Sequence, residues 1–462
     1  MIVRRSRRRS TTPPPPPEPG DWHVFLLRND CRRVVFKDLV IDGNRTGLTH
    51  PDEQSHGVEV ESGTEDLVID RCIVRECFGD GVRLAGTDQV GKTVRRVRIQ
   101  NCLFQTNNRS GLSIQRAVEQ LIVAHCHFDA NVSDQSIDFE PTGSGGPTNL
   151  VVQGCIINHT NPTKAVTLSG LKGPDPLFNC KFIDNIVLGG PISCSDVNQL
   201  TIQNNTVLVT HLGTTVERIP VQVQRGGDAV IISGNLLVND DTTTEAVISL
   251  SEANQRQVTR ALVTDNLCFA RSGNGIQCLS SDDIAIQDNM IVATDACKQG
   301  VFIRSESSDM DHISVRDNDV TVKENGAWDR GILIASNAPN QVRHVSVVGN
   351  SVRGAAEGIR FENSLFNHTP LCSLNRIGAD VAAPLNGLVN LPEQAVVVGG
   401  ASSRGGAAAA SGAGRILAGL HDPNNRVLGN VGDMFQRLDG VPGETLYIKE
   451  VGNGTTPDWH AK

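Results

Sequence analysis

One strand pattern recurs along the chain at a nearly constant spacing, and this repeat limits the fold more than any other feature. In each copy a small residue or a proline precedes a short apolar strand. The twelve copies begin at Gly57, Gly81, Gly111, Ser136, Ala165, Pro191, Pro220, Ala246, Gly275, Gly300, Gly331 and Gly358. Their average spacing is about 27 residues, a period typical of solenoid proteins.

Each copy also contains two further short strands. The second strand lies between two copies of the first, and a turn then leads to the third. Second strands are found at Leu67–Ile69, Val97–Ile99, Leu121–Val123, Leu150–Val152, Leu200–Ile202 and Val230–Ile232. One copy cannot bury its apolar residues alone, whereas stacked copies form a continuous core. The sequence therefore predicts an all-β fold, a right-handed parallel β-helix of about twelve three-stranded coils.

The turn after the second strand carries a column of equivalent residues. They are Cys72, Cys102, Cys126 and Cys155, followed by Asn185, Asn205, Asn235, Asn266, Asn289, Asn318 and Asn350. Asparagine tolerates the left-handed backbone of a sharp turn, and stacked amides about 4.8 Å apart can bond to one another. Small buried cysteines fill the same position. We therefore expect structural cysteines without disulfides.

The segment His125–Cys126–His127 contains residue types that bind metals. Alternation along a strand places both histidines on one face and Cys126 on the other, so the three side chains cannot share an ion. The sequence thus predicts no metal ligand and no cofactor.

Charge and hydropathy argue against several classes of protein. The formal net charge of −9 disfavours nucleic acid as the main partner. No apolar run is long enough to cross a membrane. Residues 1–20 combine a basic start with Pro13–Pro17 and lack an apolar core. They are therefore predicted to be a disordered leader rather than a secretory signal, and the cellular location stays open.

The repeated strand also has an outward face. Within Ser136–Glu140, Ile137 and Phe139 face one way, and Asp138 and Glu140 face the other. Aligning the copies produces two outward columns. The first column is Glu59, Arg83, Ser113, Asp138, Thr167 and Ser193, and the second is Glu61, Ala85, Gln115, Glu140, Ser169 and Ser195.

Asp138 and Glu140 are the predicted catalytic residues, because both outward positions of their copy are acidic. Positions two apart on a strand are about 6.6 Å apart. That separation suits the general acid and base of an inverting glycosidase, which are about 6.5–9.5 Å apart. The residues predicted to bind substrate in the same groove are Glu59, Glu61, Asp80, Arg83, Gln115 and Lys164.

Two other functions fit the same residues. In a polysaccharide lyase or uronate epimerase, the carboxylates would hold Ca²⁺ against a substrate uronate, and Arg83 or Lys164 would abstract the proton. In a non-catalytic adhesin or structural fibre, the acids would form a solubilising surface and Glu59 would pair with Arg83. Outward aromatic residues that could stack on sugars are scarce. Phe302, beside Arg304, and Trp328, in a predicted loop, are the main exceptions.

One phosphate-binding pattern is misleading. Residues 86–93 match the G-x-x-x-x-G-K-T form. That loop needs a following helix, whose N-terminal amides hold the phosphates. The next residues, Val94–Ile99, alternate as a strand does, so we expect a polar loop between two coils.

The C-terminal part has a different organisation. Residues 399–414 are mostly Gly, Ala and Ser, which predicts a linker. Asp433–Leu438 and Glu444–Lys449 flank Asp439–Gly443, which predicts a hairpin. We therefore expect four parts: a leader at 1–20, a β-helix at 21–372, an irregular segment with a linker at 373–426, and a β module at 427–462.

The repeat resembles that of the pectate-lyase-like right-handed β-helix superfamily over residues 31–372. This resemblance implies the fold but not one activity, because the scaffold carries lyases, hydrolases, epimerases and adhesins. The segment Val431–Lys462, with "GDMFQRLDG", "TLYIKE" and "WHAK", resembles the terminal module of phage tail fibres and tailspikes. That resemblance implies a homotrimer, a polysaccharide partner, and a virion-tail or extracellular location. A cap on the open end of the solenoid is the alternative.

Overall fold

The computed structural model describes the repeat region and several short strands beyond it. The described residues are 23–28, 30–47, 54–87, 92–129, 135–140, 146–160, 164–170, 176–210, 218–251, 256–362, 371–378, 380–381, 383–386, 397–399, 416–419, 434–437, 446–449 and 459–461. The predicted leader at 1–20, the loop around Pro51 and residues 400–414 of the predicted linker lie outside this set.

The chain forms two compact units. The first comprises residues 1–261 and 266–272, and its strands fall into three parallel columns. Column 1 contains Phe25–Leu27, Val58–Glu61, Val82–Ala85, Leu112–Arg116, Ile137–Phe139, Val166–Ser169, Ile192–Gln203, Val221–Ser233 and Ala246–Ser251. Two of these strands, Ile192–Gln203 and Val221–Ser233, continue into column 2. Column 2 also contains Arg32–Lys37, Glu65–Asp70, Val94–Gln100, Val118–Ala124, Thr148–Gln153, Leu177–Ile183 and the start of Val258–Thr264. Column 3 contains Val40–Asp42, Ile73–Arg75, Leu103–Gln105, His127–Asp129, Ile156–Asn158, Ile186–Leu188, Thr206–Val209, Leu236–Asn239 and Leu267–Ala270. Arg45–Gly47 is a short 3-10 helix.

The second unit comprises residues 262–265 and 273–462 and repeats the three-column arrangement. Its first column contains Asn274–Leu279, Ala296–Ser305, Ala327–Ser336, Ala355–Glu362 and Ala383–Asn386. The second contains Asp282–Gln287, Ile313–Arg316, Val345–Val348, Leu371–Ile377 and Val397–Gly399, and the third contains Met290–Ala293, Asp319–Val322 and Ser351–Val352. The remaining strands are Ile416–Gly419, Met434–Arg437, Leu446–Lys449 and Trp459–Ala461.

The predicted repeat is confirmed, because a strand is present at each of the twelve positions. The structure also explains the small residue that precedes these strands. A Cβ atom on Gly81 would lie 2.6 Å from the carbonyl oxygen of Gly111 in the next coil, and one on Gly331 would lie 2.6 Å from that of Gly358. The backbone of the next coil therefore leaves little room for a side chain where the repeat starts.

Alternation along each strand builds the interior. Val58, Val82, Leu112 and Ile137 occupy equivalent positions of column 1 and are fully buried. Aromatic rings stack in the same way. Phe104 and Phe128, on adjacent coils, have ring centroids 4.7 Å apart. Burial of such side chains, at roughly 1.5–3 kcal/mol each, is the main stabilising term of a solenoid.

The asparagine column forms hydrogen-bonded ladders within both units. In the first unit the Nδ2 atom of Asn205 donates to Oδ1 of Asn235 at 3.0 Å, and Asn235 donates to Asn266 at 2.9 Å. In the second unit Asn289, Asn318 and Asn350 bond in series, and Asn350 donates to Asn375.

The cysteine part of the column follows the same design. The Cys102 thiol donates to the carbonyl of Ile69 in the preceding coil, as the Asn205 amide does to Phe182. All twelve cysteines are free thiols, as predicted. Cys126 is buried, whereas His125 and His127 are exposed. The cysteine therefore points away from both histidines.

One detail of the predicted ladder is wrong. The left-handed residue of the turn is not the ladder asparagine but the residue before it: Asp184 (φ 57°) precedes Asn185, and Asn204 (φ 54°) precedes Asn205. The ladder side chain must point inward to bond its neighbours. The residue before it, which faces solvent, therefore carries the backbone reversal.

Three further expectations can be compared with the structure. Trp328 lies in the strand Ala327–Ser336 rather than in a loop; it is 1% exposed and its Nε1 atom donates to Thr321. The residues after the phosphate-loop pattern form the strand Val94–Gln100, as predicted. Near the C-terminus, Met434–Arg437 pairs antiparallel with Leu446–Lys449, which confirms the pairing of the hairpin, while its turn lies outside the described residues.

Candidate functional site

The first outward column predicted from the repeat exists as a continuous series of paired residues. Glu59 pairs with Arg83, Arg83 with Ser113, Ser113 with Asp138, and Asp138 with Thr167. The series continues through Ser193, Gln222 and Ser249. Strand pairing in column 1 therefore aligns these polar side chains along one face.

The second outward column is interrupted by a bulge. Ala85 pairs with Arg116 rather than with Gln115, because the register shifts between Ile114 and Arg116. The extra residue still directs its side chain to this face, where the Oε1 atom of Gln115 accepts a hydrogen bond from Arg83. The expected direct alignment of Gln115 with Ala85 is therefore wrong, although Gln115 belongs to the same polar surface.

Most of the outward face is buried rather than exposed. Asp138 is 3% exposed and Glu59 only 1%, whereas Glu140, just beyond its strand, is exposed. The two predicted catalytic carboxylates thus have different environments. Asp138 is shielded from water, and Glu140 is open to it.

Asp138 and Glu140 line one groove of about 400 Å³ in the first unit. Two basic side chains, Lys164 and Arg225, share it with them. The remaining lining residues are Gln135, Thr167, Ser169, Gly170, Ser193, Ser195 and Gln224, so the wall offers mainly hydroxyl and amide groups. Such a surface can bind a highly hydroxylated ligand through many hydrogen bonds.

Arg225 is positioned by residues of the preceding coil. Its Nη2 atom donates to the Ser195 hydroxyl at 2.8 Å, and Ser195 in turn donates to Ser169 at 2.9 Å. The Arg225 Nε atom lies 3.9 Å from Oδ2 of Asp196, a carboxylate that also contacts Arg256. Arg225 (φ 58°) and Asp196 (φ 53°) both have left-handed backbones. The local reversal turns the Arg225 side chain toward the groove, a position that strand alternation alone does not reveal.

A second polar cluster lies toward the N-terminal end of the column. Arg83 bridges two coils, with its Nη1 atom 2.6 Å from Oε1 of Glu59 and its Nη2 atom donating to Gln115. The other Glu59 oxygen faces the Nε2 atom of His56 at 3.6 Å. The backbone N–H of Asp80 donates to Nδ1 of His56 at 2.9 Å. These residues form a buried network in which Nε2 of His56, Oε2 of Glu59 and Nε of Arg83 make no hydrogen bond.

Burial sets the ionisation of this network. It raises the pKa of Glu59 to about 7, against the opposing effect of Arg83. Burial also lowers the pKa of His56 to about 2, and the nearby Arg83 charge acts in the same direction. His56 is therefore neutral over the whole physiological range, whereas Glu59 titrates near neutrality.

The structure thus divides the predicted site residues into three groups. Asp138, Glu140 and Lys164 come together in the groove. Glu59, Asp80, Arg83 and Gln115 belong to the buried network. Glu61 belongs to neither group, because it forms a two-point ion pair with Arg28.

Arg225 is a groove residue that the sequence reasoning missed. The signal available in the sequence was the pair of glycines in Arg225-Gly226-Gly227, between two runs of strand-forming residues.

Outward aromatic residues are found in the second unit. Phe302 is 8% exposed and packs with Leu333 and Ala335 on the outward face of adjacent strands. The Arg304 guanidinium lies 5.0 Å from the centre of the Phe302 ring. The ring is therefore covered and does not offer an open stacking surface.

Comparisons with known proteins address the fold. Residues 24–211 match the family model described as the right-handed β-helix region. No curated protein sequence matches the chain significantly.

Several solved structures resemble the chain at low sequence identity. The Dettilon tailspike protein (gp208) is 11% identical with a TM-score of 0.35, over 78% of this chain and 61% of its own. The tailspike protein of E. coli bacteriophage HK620, in complex with pentasaccharide, is 12% identical with a TM-score of 0.38, over 79% and 65%. The periplasmic alginate epimerase AlgG is 13% identical with a TM-score of 0.35, over 72% and 76%. The chain thus spans less than two thirds of each of these tailspikes.

The strand pairing and the family match agree on one architecture. Among the described residues no helix is long and apolar enough to cross a membrane. The coils of both units consist of parallel strands joined by sharp turns. The protein is a parallel β-solenoid, and its residues 24–211 match the right-handed β-helix family model.

Proposed function

We propose that the protein binds a polysaccharide in the groove around Asp138 and Glu140 and hydrolyses its glycosidic bonds. The observation that supports this proposal is that both carboxylates line one groove with hydroxyl and amide side chains from successive coils. Coils are about 4.8 Å apart, so equivalent side chains recur along the groove at the scale of a sugar unit.

The different exposure of the two acids suggests their roles. Inversion at a sugar carbon needs one carboxylic acid to protonate the leaving oxygen and one carboxylate to activate water from the opposite face. Glu140 is open to solvent and is placed to activate the water. Asp138 is shielded and is placed to donate the proton. The spacing of about 6.6 Å between alternate strand positions leaves room for the attacking water.

Lys164 and Arg225 make the groove suitable for acidic sugars. They line the same cavity as the two carboxylates, and Arg225 is held by Ser195. A guanidinium with a fixed orientation recognises a carboxylate through paired hydrogen bonds. We therefore favour a polysaccharide that carries uronate or other acidic groups.

A lyase or epimerase is the second candidate, and the position of Lys164 favours it. Of the two bases considered from the sequence, Lys164 lies in the groove, whereas Arg83 is engaged by Glu59 and Gln115. In this reaction Lys164 would remove the proton next to the substrate carboxylate. Asp138 and Glu140 would then hold Ca²⁺, a cation that prefers oxygen ligands.

Product analysis distinguishes these functions. The full-length protein would be incubated with a panel of acidic and neutral polysaccharides. New reducing ends, without ultraviolet absorption and without sensitivity to a chelator, indicate hydrolysis. An unsaturated product indicates a lyase, and a changed uronate without cleavage indicates an epimerase. Retention of the glycan without any product indicates an adhesin.

Matched variants locate the activity. Asp138→Asn and Glu140→Gln should each lower kcat by about 10²–10⁴-fold, the usual contribution of a general acid or base. Glu119→Gln is the control, because Glu119 lies on column 2 and pairs with Arg95 at 3.0 Å outside the groove. Unchanged turnover in both groove variants would refute the assignment.

A homotrimer remains the proposed assembly, based on the resemblance of the C-terminal segment to tail-fibre modules. Light scattering on the full chain and on a variant ending at residue 426 tests it. A trimer that becomes a monomer on truncation supports the proposal, and a full-length monomer contradicts it.

A further inference from the structure

We propose that Asp311, His312 and His344 form a surface binding site for a transition-metal ion in the second unit. One ligand atom from each of the three side chains lies within 4.8 Å of the other two. The site does not share residues with the groove, so this proposal is independent of the proposed polysaccharide chemistry.

The repeat brings the two histidines together. His312 and His344 immediately precede Ile313 and Val345, and these two residues pair across adjacent coils. Both histidines have left-handed backbones, with φ values of 52° and 43°. They therefore occupy the same turn position on successive coils, and their rings stack with centroids 4.9 Å apart.

The Asp311 carboxylate lies beside both rings. Its Oδ1 atom accepts the backbone N–H of His312 at 2.8 Å, which fixes its orientation. The same oxygen lies 2.5 Å from Nδ1 of His344 and 3.5 Å from Nδ1 of His312. The backbone N–H of Asp311 is in turn bound by Asp282 at 2.6 Å. One carboxylate oxygen and one nitrogen of each imidazole thus lie close together.

These distances match the spacing of ligands around a metal. Two donor atoms bound at about 2.0–2.1 Å are about 2.9 Å apart at a right angle and about 3.4 Å apart at a tetrahedral angle. The observed 2.5 and 3.5 Å bracket these values. When a metal binds Nδ1 of a neutral His344 ring, the proton held there moves to Nε2 by exchange with solvent, so the ring stays neutral.

The ligand types and their exposure define the class of ion. Two imidazoles and one carboxylate suit Zn²⁺, Ni²⁺ or Cu²⁺ rather than Ca²⁺ or Mg²⁺, which prefer oxygen ligands alone. The His312 and His344 side chains are 67% and 46% exposed, so an ion reaches them from solvent and keeps water as its remaining ligands. The neighbouring cation, Arg343, is bound by Asp309 at 2.8 Å and by Gln341.

A second group with metal-binding residue types illustrates why geometry matters. His23, His56 and Glu59 also place three ligand atoms within 4.8 Å of one another. There, however, the Asp80 N–H donates to Nδ1 of His56, so Nε2 carries the proton of the neutral ring. The nitrogen facing Glu59 thus has no lone pair for a metal. At His344 it is Nδ1 that faces the Asp311 carboxylate. Its proton can move to Nε2, which leaves the Nδ1 lone pair for a metal.

Zn²⁺ binding to the full-length protein tests the proposal. Isothermal titration calorimetry should show one more Zn²⁺ per chain for the natural protein than for His312→Ala/His344→Ala. The control is His125→Ala/His127→Ala, which removes two exposed histidines outside either three-ligand group and should keep the full stoichiometry. Asp311→Asn should weaken this site by about tenfold or more, the usual scale of changes around a metal site.

Thermal unfolding gives an independent readout. Because the ion would join two coils, excess Zn²⁺ should raise the Tm of the natural protein and of the control more than that of the double variant. Equal stoichiometry and equal affinity in the natural protein and the double variant would overturn the proposal. If the double variant does not fold, Asp311→Asn decides the matter, and unchanged Zn²⁺ affinity in that variant likewise overturns it.

Discussion

The Glu59 carboxylate and the Arg83 guanidinium, on adjacent coils, form an ion pair in which Oε1 lies 2.6 Å from Nη1. The Glu59 side chain is 1% exposed and that of Arg83 is 20% exposed. The charged side chains at this end of the column therefore pair with each other. In the groove, by contrast, the acids and bases line an open cavity.

The buried network should give stability two opposing dependences on pH. Glu59 has a folded pKa of about 7 against an ordinary 4.5, so its contribution is full below pH 4.5 and is lost as the pH rises through 7. His56 has a folded pKa of about 2 against 6.5, so its contribution is full above pH 6.5 and declines as the pH falls toward 2. Between pH 4.5 and 6.5 the two effects offset one another.

Glu59→Gln should remove the first of these effects. Stability of the variant should then fall more steeply from pH 7 to 5 than that of the natural protein, as measured by urea unfolding at several pH values. Glu119→Gln serves as the surface control and should run parallel to the natural protein. Parallel curves for Glu59→Gln as well would contradict the assigned ionisation.

Replacing one asparagine of the ladder should lower the free energy of unfolding more than replacing an asparagine on the surface. Asn235 is 2% exposed, donates to Asn266 and to the carbonyl of Ile202, and accepts two bonds from Asn205. Asn235→Ala leaves these buried groups unsatisfied. We expect a loss of about 3 kcal/mol or more in the free energy of unfolding, at about 1–3 kcal/mol per orphaned group.

Asn149→Ala is the matched control for the ladder. Asn149 accepts a bond from Asn179 at 2.7 Å, but on the exposed side of the solenoid. Its replacement should cost about 1–2 kcal/mol, because alanine is disfavoured at the left-handed backbone of Asn149 (φ 56°). Similar losses of stability at Asn149 and Asn235 in denaturant unfolding would show that the ladder bonds stabilise the protein no more than surface bonds do.

The close approach of backbones at the start of each repeat gives a steric prediction. A Cβ atom on Gly81 would lie 2.6 Å from the Gly111 carbonyl oxygen and 2.9 Å from Nδ2 of Asn107. Gly81→Ala should therefore destabilise the protein by about 1–3 kcal/mol through overpacking. Ala165, in the same repeat position, already carries a Cβ atom. Ala165→Gly should cost about 1 kcal/mol or less in the same unfolding assay.

Arg225 should contribute to ligand affinity rather than to stability. Its guanidinium lines the groove and is held by Ser195 at 2.8 Å. Arg225→Met should weaken binding of an acidic polysaccharide about tenfold, because hydrogen bonds to charged groups contribute about 1.5–3 kcal/mol. Arg260→Met is the control, since Arg260 pairs with Asp228 on column 2. Equal affinities of both variants, measured by calorimetry, would exclude Arg225 from the site.

The repeat made most of the fold predictable. Alternation and period predict all twelve strands, and the Cys and Asn column marks the inward turn. The reason is that each coil contacts its neighbours in the same way, so one correct interpretation applies many times. The left-handed residue was misplaced by one position because both Asp184 and Asn185 are residue types that tolerate that conformation.

The site was less predictable than the fold because its geometry depends on departures from the repeat. The bulge at Gln115 and the reversal at Arg225 redirect side chains, and neither follows from alternation. Burial was also not apparent, since Glu59 and Asp138 occupy outward positions yet are nearly inaccessible. The Asp311, His312 and His344 group left a detectable signal. Both histidines directly precede a short run of alternating apolar residues, and they are 32 residues apart, close to the length of one coil.

The amide ladder also bears on how such a chain can change in length during evolution. Each asparagine presents the same acceptor to the coil before it and the same donors to the coil after it. Duplicating or deleting one complete coil would therefore restore every bond at the new junction. By this route a gene could extend or shorten the polar surface in steps of about 4.8 Å without redesigning the interior.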